Sequence, residues 1–313
     1  MTRTQATSSR WRISAALLCL VILICSCRKE EAKGEVQVTF PSPDDAARAL
    51  VTAVKSNDPD AISSILGPGS KDIVGSQNAD QDKNEFAGFV SDYDVMHRWR
   101  TLEDGSQLLL TGTDNKAFPV PLKKNNTGQF YFDVPAGKAE IAARTIGRNE
   151  IAATDICDAI GAAEQEYFSQ HHDNANQYTQ KFISDSGKQD GLYWPEVKGQ
   201  PRSPLGPLVA FATGEGLKVQ QGQQRPFYGY YFAILSKQGA AAKGGANNYV
   251  VNGKMTQGFA VLAYPSRYSV SGIMTFMMNR DGTLFQKDLG TTTDEIAPKM
   301  GEFNPDSTWA PVE

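Results

Sequence analysis

Four apolar runs near the C-terminus, at 227–235, 259–264, 273–279 and 284–289, are separated by turn-forming residues. Runs of this length and spacing predict an antiparallel sheet, and they constrain the rest of the chain to supply its cover. In the third run Met274, Phe276 and Met278 alternate with Ile273, Thr275 and Met277. A strand apolar on both sides is expected to be covered on both faces. Asp281-Gly282 follows as a hairpin signal, because Gly accepts positive φ without steric cost. A two-residue loop there would set Met278 opposite Phe285 and Phe276 opposite Lys287. The fourth run carries Gln286, Lys287 and Asp288, which suits a sheet edge.

The cover is expected from a helix over 149–169, where Ile156, Ile160, Ala163 and Tyr167 fall on one face. The helical pattern extends back toward Gly137, with a break expected at Gly147. Residues 185–206 are rich in Gly, Pro and Ser, and 239–253 read as a long flexible loop between the first two strands. Thr292 and Glu295 have capping-box spacing, and Trp309 is expected to dock on the body. Further upstream, Pro43-Asp44-Asp45 opens a helix over 46–56, and Asp58-Pro59 caps a second that stops at Gly67-Pro68-Gly69. An amphipathic stretch covers 85–97, and strand-like runs follow at 107–111, 117–122 and 129–134. The reading is an α+β protein: a small helical plus antiparallel-sheet module at 43–137, then a long helix packed on a four-stranded antiparallel sheet at 138–313. The first module is loosely similar to cone-shaped folds of the nuclear-transport-factor type.

The 313 residues carry a net charge of −4, and no stripe of Lys and Arg tracks a phosphate backbone, so nucleic acid is not an expected partner. Arg3, Arg10 and Arg12 precede an apolar run at 13–24, too short for an ordinary spanning helix. Ile24-Cys25-Ser26-Cys27 then resembles the lipobox of bacterial lipoprotein signals. The resemblance implies a signal peptide at 1–27, lipid on Cys27 and a solvated tether at 28–42. With Arg28 rather than Asp after that Cys, it implies an outer membrane location facing the periplasm. The membrane, through this lipid, is thus one expected partner. Once Cys27 carries lipid, Cys157 has no disulfide partner, and its place beside Ile156 and Ile160 marks a buried inert thiol.

No nucleophile elbow, phosphate loop, zinc helix, paired Cys-x-x-Cys or dinucleotide fingerprint occurs. Asp80-x-Asp82-x-Asn84 begins like a calcium loop, but Glu85 stands where Gly is required and Ser91 where the bidentate Glu belongs. His171 and His172 are adjacent, so on a helix they point about 100° apart and serve one metal poorly. No catalytic residue, metal or cofactor is expected. Asp190, Tyr193 and Trp194 are the candidate binding residues: they could stack a sugar or peptide, or plug the sheet edge. The functional expectation is a non-enzymatic envelope lipoprotein, an interaction or assembly module with an envelope protein or peptidoglycan as partner. The alternative is a periplasmic glycan- or peptide-binding protein using Tyr193 and Trp194.

Ile146-Gly147-Arg148-Asn149-Glu150, Asp190-Gly191-Leu192-Tyr193-Trp194-Pro195, Ser203-Pro204-Leu205-Gly206-Pro207, Tyr249-Val250-Val251-Asn252-Gly253-Lys254-Met255 and Gly272-Ile273-Met274-Thr275-Phe276 together resemble the bacterial domain-of-unknown-function family 2950. That resemblance brings no established activity and no catalytic residue. More weakly, the helix followed by a Gly229-Tyr230 strand and a Gly-turn hairpin resembles the heads of type IV pilins and pseudopilins.

Overall fold

The computed structural model describes residues 36–75, 79–172, 174–209 and 225–312. The expected signal peptide, Cys27 and most of the expected tether lie outside them.

Helix α1 (Pro43–Lys55) starts where local chemistry dictates. Ser42 is extended and its hydroxyl accepts from the Asp45 amide at 3.1 Å, Pro43 fits the first turn, and Asp44 and Asp45 face the positive helix end. Helix α2 (Pro59–Leu66) repeats the device with Asp58, which accepts from the Asp60 amide, and ends at Gly67. Helix α3 spans Ala79–Val95, two residues short of the expected end. The Asp80-x-Asp82-x-Asn84 segment thus lies in a helix, not a calcium loop.

Five strands follow: β1 (His97–Thr101), β2 (Gln107–Thr111), β3 (Lys116–Ala117), β4 (Leu122–Lys124) and β5 (Phe130–Phe132). They form one antiparallel sheet in the order β1-β2-β4-β5, with β3 also on β2. Strand β1 corrects the sequence reading, which ran the helix through His97. The His97 ring instead stacks on Tyr93 at 3.9 Å, just past the helix end. The single strand expected at 117–122 is broken in two, because Pro119 and Pro121 supply no N–H to a ladder. The folded body also begins before Pro43. Phe40 exchanges backbone hydrogen bonds with Phe130 and is buried in the core of α1, α2 and the sheet, so the expected tether 28–42 overlaps it.

Helix α4 (Val134–Ser169) is 36 residues long and runs unbroken through Gly147. A lone Gly costs about 1 kcal/mol relative to Ala, and both flanks are held. Asp133 caps the start by accepting from the Ala136 amide, and Val134 is buried with the first core. Ala153, Ile156, Cys157, Ile160, Ala163 and Tyr167 are buried with the second. At 1.5 Å per residue the helix is about 54 Å long.

The second core lies between α4 and a sheet of β6 (Tyr230–Leu235), β11 (Ala260–Pro265), β12 (Met274–Asn279), β13 (Leu284–Asp288) and β14 (Ala310–Pro311). Between β6 and β11 come β7 (Lys237–Gln238), β8 (Asn247–Asn248), β9 (Val250–Val251) and β10 (Lys254–Met255). These make two small antiparallel ladders in and beside the 239–253 stretch expected as a long flexible loop, and the buried Tyr249 donates its hydroxyl to Gln238 between them. The main sheet is antiparallel throughout, in the order β14-β13-β12-β11-β6. Every residue of β11 is buried, as are Thr275 to Met278 of β12, which matches a strand covered on both faces. Trp309 docks on this core. The short β14, one of whose two residues is Pro311, adds a fifth strand to the expected four.

Two local readings are corrected. The β12–β13 turn has three residues, not two: Gly282 takes φ +79° and its amide donates to Asn279 O. The Asn279 side chain accepts from the amides of Asp281 and Thr283. Met278 therefore faces Leu284, and Phe276 faces Gln286, one residue out of the expected register. At Thr292 the hydroxyl donates to Leu289 O instead of capping the turn of helix at Thr293–Ile296.

Polar side chains of α4 fasten the helix to the sheet. Glu150 Oε1 accepts from the amides of Ile273 and Met274 at 2.8 and 2.9 Å, and Asn149 donates to Ser271 O at 2.8 Å. Gly272 is required nearby, since a Cβ there would lie 2.1 Å from the buried Tyr230 hydroxyl. That hydroxyl donates to Met274 O, and burial, helped by the Glu150 charge, pushes its pKa upward.

Candidate functional site

The sequence candidates lie on the segment that leaves α4 and folds back over the end of the second core. Thr179 starts the return: its amide donates to Glu164 Oε2 at 3.0 Å and its hydroxyl to Asp190 O at 2.8 Å. The two limbs of the loop are then laced by backbone bonds from Leu192 to Lys181, Tyr193 to Phe182 and Ser184 to Tyr193. Gly191 permits this approach, since a Cβ would meet the backbone of Ile183 and Ser184 at 2.7 Å.

Within this frame Asp190 is fully engaged. Its Oδ1 accepts from the Asp185 amide and its Oδ2 from Lys181 Nζ at 2.7 Å. Lys181 also reaches Asp185, and with Lys188 it holds that carboxyl down at about 2. Trp194 is 4% exposed, and its indole N–H donates to Pro201 O at 3.0 Å. With both faces buried it offers nothing for a sugar to stack on and takes the second of the two roles the sequence left open, plugging the core. Tyr193 is half-buried against the same core. The structure brings the three residues into one loop but spends two of them on holding it.

His171 and His172 do not converge on a metal position. His172 lies flat on Tyr167 at 3.7 Å and meets Trp194 edge-on at 6.2 Å, while His171 takes φ +55°. The Tyr167 hydroxyl reaches Gln189 O, tying the helix end to the loop. Cys157 is fully buried, and burial pushes its thiol pKa up, away from the reactive range.

Sequence reasoning missed Glu164. It has no exposed surface, and Oε1 has no hydrogen-bond partner among the described residues. Burial raises its pKa to about 8, and the Thr179 amide only partly opposes this. The signal was present: Glu164 stands four residues after Ile160 and seven after Cys157, on the buried stripe of α4. A carboxyl there holds its proton near neutral pH and acts as a buried fastening for the 172–205 segment, not as a group open to substrate.

Away from this loop, α1 and α2 leave a shallow groove of about 630 Å³ lined by Ala49, Ala53, Ala61 and Ile65 with Arg48, Thr52 and two serines. Among the described residues no helix is long and apolar enough to cross a membrane.

Fold and site together define an α+β protein whose notable buried polar groups hold a helix, a sheet and a loop to one another. The chain belongs to the family described as Protein of unknown function (DUF2950), whose model matches residues 37–312. No curated protein and no solved structure matches it, and neither comparison links the C-terminal half to pilin heads.

Proposed function

We propose that the protein is a lipid-anchored, non-catalytic component of the bacterial cell envelope, acting as an interaction or assembly module on the periplasmic side of the outer membrane. The observation that carries this is the N-terminal pattern: Arg3, Arg10 and Arg12, the apolar run at 13–24, then Ser26-Cys27-Arg28. The use of Glu150, Glu164, Asp190 and Trp194 as fastenings supports a structural body over a reactive one. Cross-linking of intact cells tests the second half of the reading. The full chain is expected to form one discrete adduct with an envelope component. A chain that stays free at every cross-linker length would count against an assembly role.

A further inference from the structure

The sheet of the N-terminal half has two unlike faces. Trp99, Leu109, Leu122 and Phe132 point to one side and are packed with α1, α2 and α3, and the Trp99 indole donates to Asp44 at the start of α1. The alternate residues point the other way. Arg98 pairs across the ladder with Leu110, Arg100 with Leu108, and Lys123 with Tyr131. Leu108, Leu110 and Tyr131 are only half-buried and join neither core. Arg98 and Arg100 are exposed on the edge strand, and neither makes an ion pair among the described residues. Lys123 is held by Asp133 at 2.7 Å.

Other nearby cations are turned elsewhere, Lys116 to Asp92 of α3 and Lys138 to Asp72, so the cations of this outer face are Arg98, Arg100 and Lys123. The acidic residues between residues 97 and 148 are Glu103 and Asp104 at the β1–β2 turn, Asp114 at the β2–β3 turn, Asp133 on Lys123, and Glu140 on Arg144. Arginine is the cation suited to such a place: its planar fork meets phosphate oxygens two at a time and is weakly hydrated enough to sit beside leucine.

We propose that this outer sheet face docks on an anionic phospholipid surface, with Arg98 and Arg100 on headgroup phosphates and Leu108, Leu110 and Tyr131 at the headgroup boundary. The inference rests on the anchoring reading for its reach. Nine residue steps separate Cys27 from Val36, a span of about 30 Å at most, and Phe40 joins the sheet at β5, the edge opposite β1. A tether that short presents the face to the membrane at high local concentration, so modest contacts suffice.

Hydroxyl-radical oxidation of the full chain, read by peptide mass spectrometry on vesicles of phosphatidylcholine with or without about 30% phosphatidylglycerol, tests it. Leu108, Leu110 and Tyr131 are expected to oxidise at least about threefold more slowly on the anionic vesicles, and salt near 0.5 M should reverse this. Val197, 56% exposed and in the other half of the chain, is the internal reference. R98E/R100E should lose the protection, and R98Q/R100Q should lose most of it without adding charge. Equal oxidation on both vesicles, or protection retained by both variants, would overturn the proposal. Protection in detergent without lipid would show a contact between copies instead. The full chain includes the apolar run 13–24, so the footprint does not depend on lipid at Cys27, and a failure of either reading is distinguishable from failure of the other.

Discussion

Replacing Glu164 with Gln is expected to remove the pH dependence that this carboxyl gives to stability, a loss of about 3 kcal/mol between pH 5 and pH 8. The carboxyl is buried, it receives one amide hydrogen bond at 3.0 Å, and Oε1 receives none. In the unfolded chain it ionises near 4.5, while the folded protein holds the proton until about 8. Below 4.5 both states are protonated and stability from this group is greatest. Between the two values only the unfolded chain releases the proton, so stability falls by about 1.4 kcal/mol per pH unit and the loss is complete above 8. Glutamine keeps an oxygen for the Thr179 amide and cannot ionise. Urea unfolding of both proteins from pH 5 to pH 8 gives the comparison: the curves should diverge steadily, with the wild type losing about 3 kcal/mol more. Parallel curves would mean that the carboxyl is not buried in solution.

Replacing Trp194 with Ala is expected to cost about 3–5 kcal/mol. The indole fills the space between the His172 edge, the loop and the second core, and its N–H is held by Pro201 O. Trp194→Phe keeps most of the volume and loses the hydrogen bond, so about 1–2 kcal/mol is expected. A ring kept for ligand stacking would behave differently, because substitution at an exposed site leaves stability within about 0.5 kcal/mol. Chemical denaturation of the three proteins separates the two roles directly.

Much of the fold was legible because local and tertiary signals agree. Ser42 to Asp45 and Asp58-Pro59 start helices by capping chemistry that needs no distant partner. The period-two pattern through Met274 to Met278 and the stripe from Ile156 to Tyr167 each mark the face they bury. What was not legible depended on contacts the sequence does not display. Helix α4 runs through Gly147 because Val134 in one core and Ala153 in the other hold its two halves. The β12–β13 register turned on the Asn279 side chain, which accepts two amides and favours three loop residues over two. The site was ambiguous for a related reason. A Trp beside an Asp in a Gly-rich loop looks the same in sequence whether it awaits a ligand or plugs a core. Only the bonds from Trp194 to Pro201 and from Lys181 to Asp190 separate the two. Glu164 was hidden because a charged residue on a helical stripe ordinarily marks where the stripe ends.

The central claim is that a lipid on Cys27 holds this body at the envelope. Metabolic labelling of cells with a palmitate analogue, comparing the full chain with its Cys27→Ala variant, measures that most directly. Label on the wild-type chain and none on the variant is the expected result. Label absent from both, or equal on both, would contradict the account.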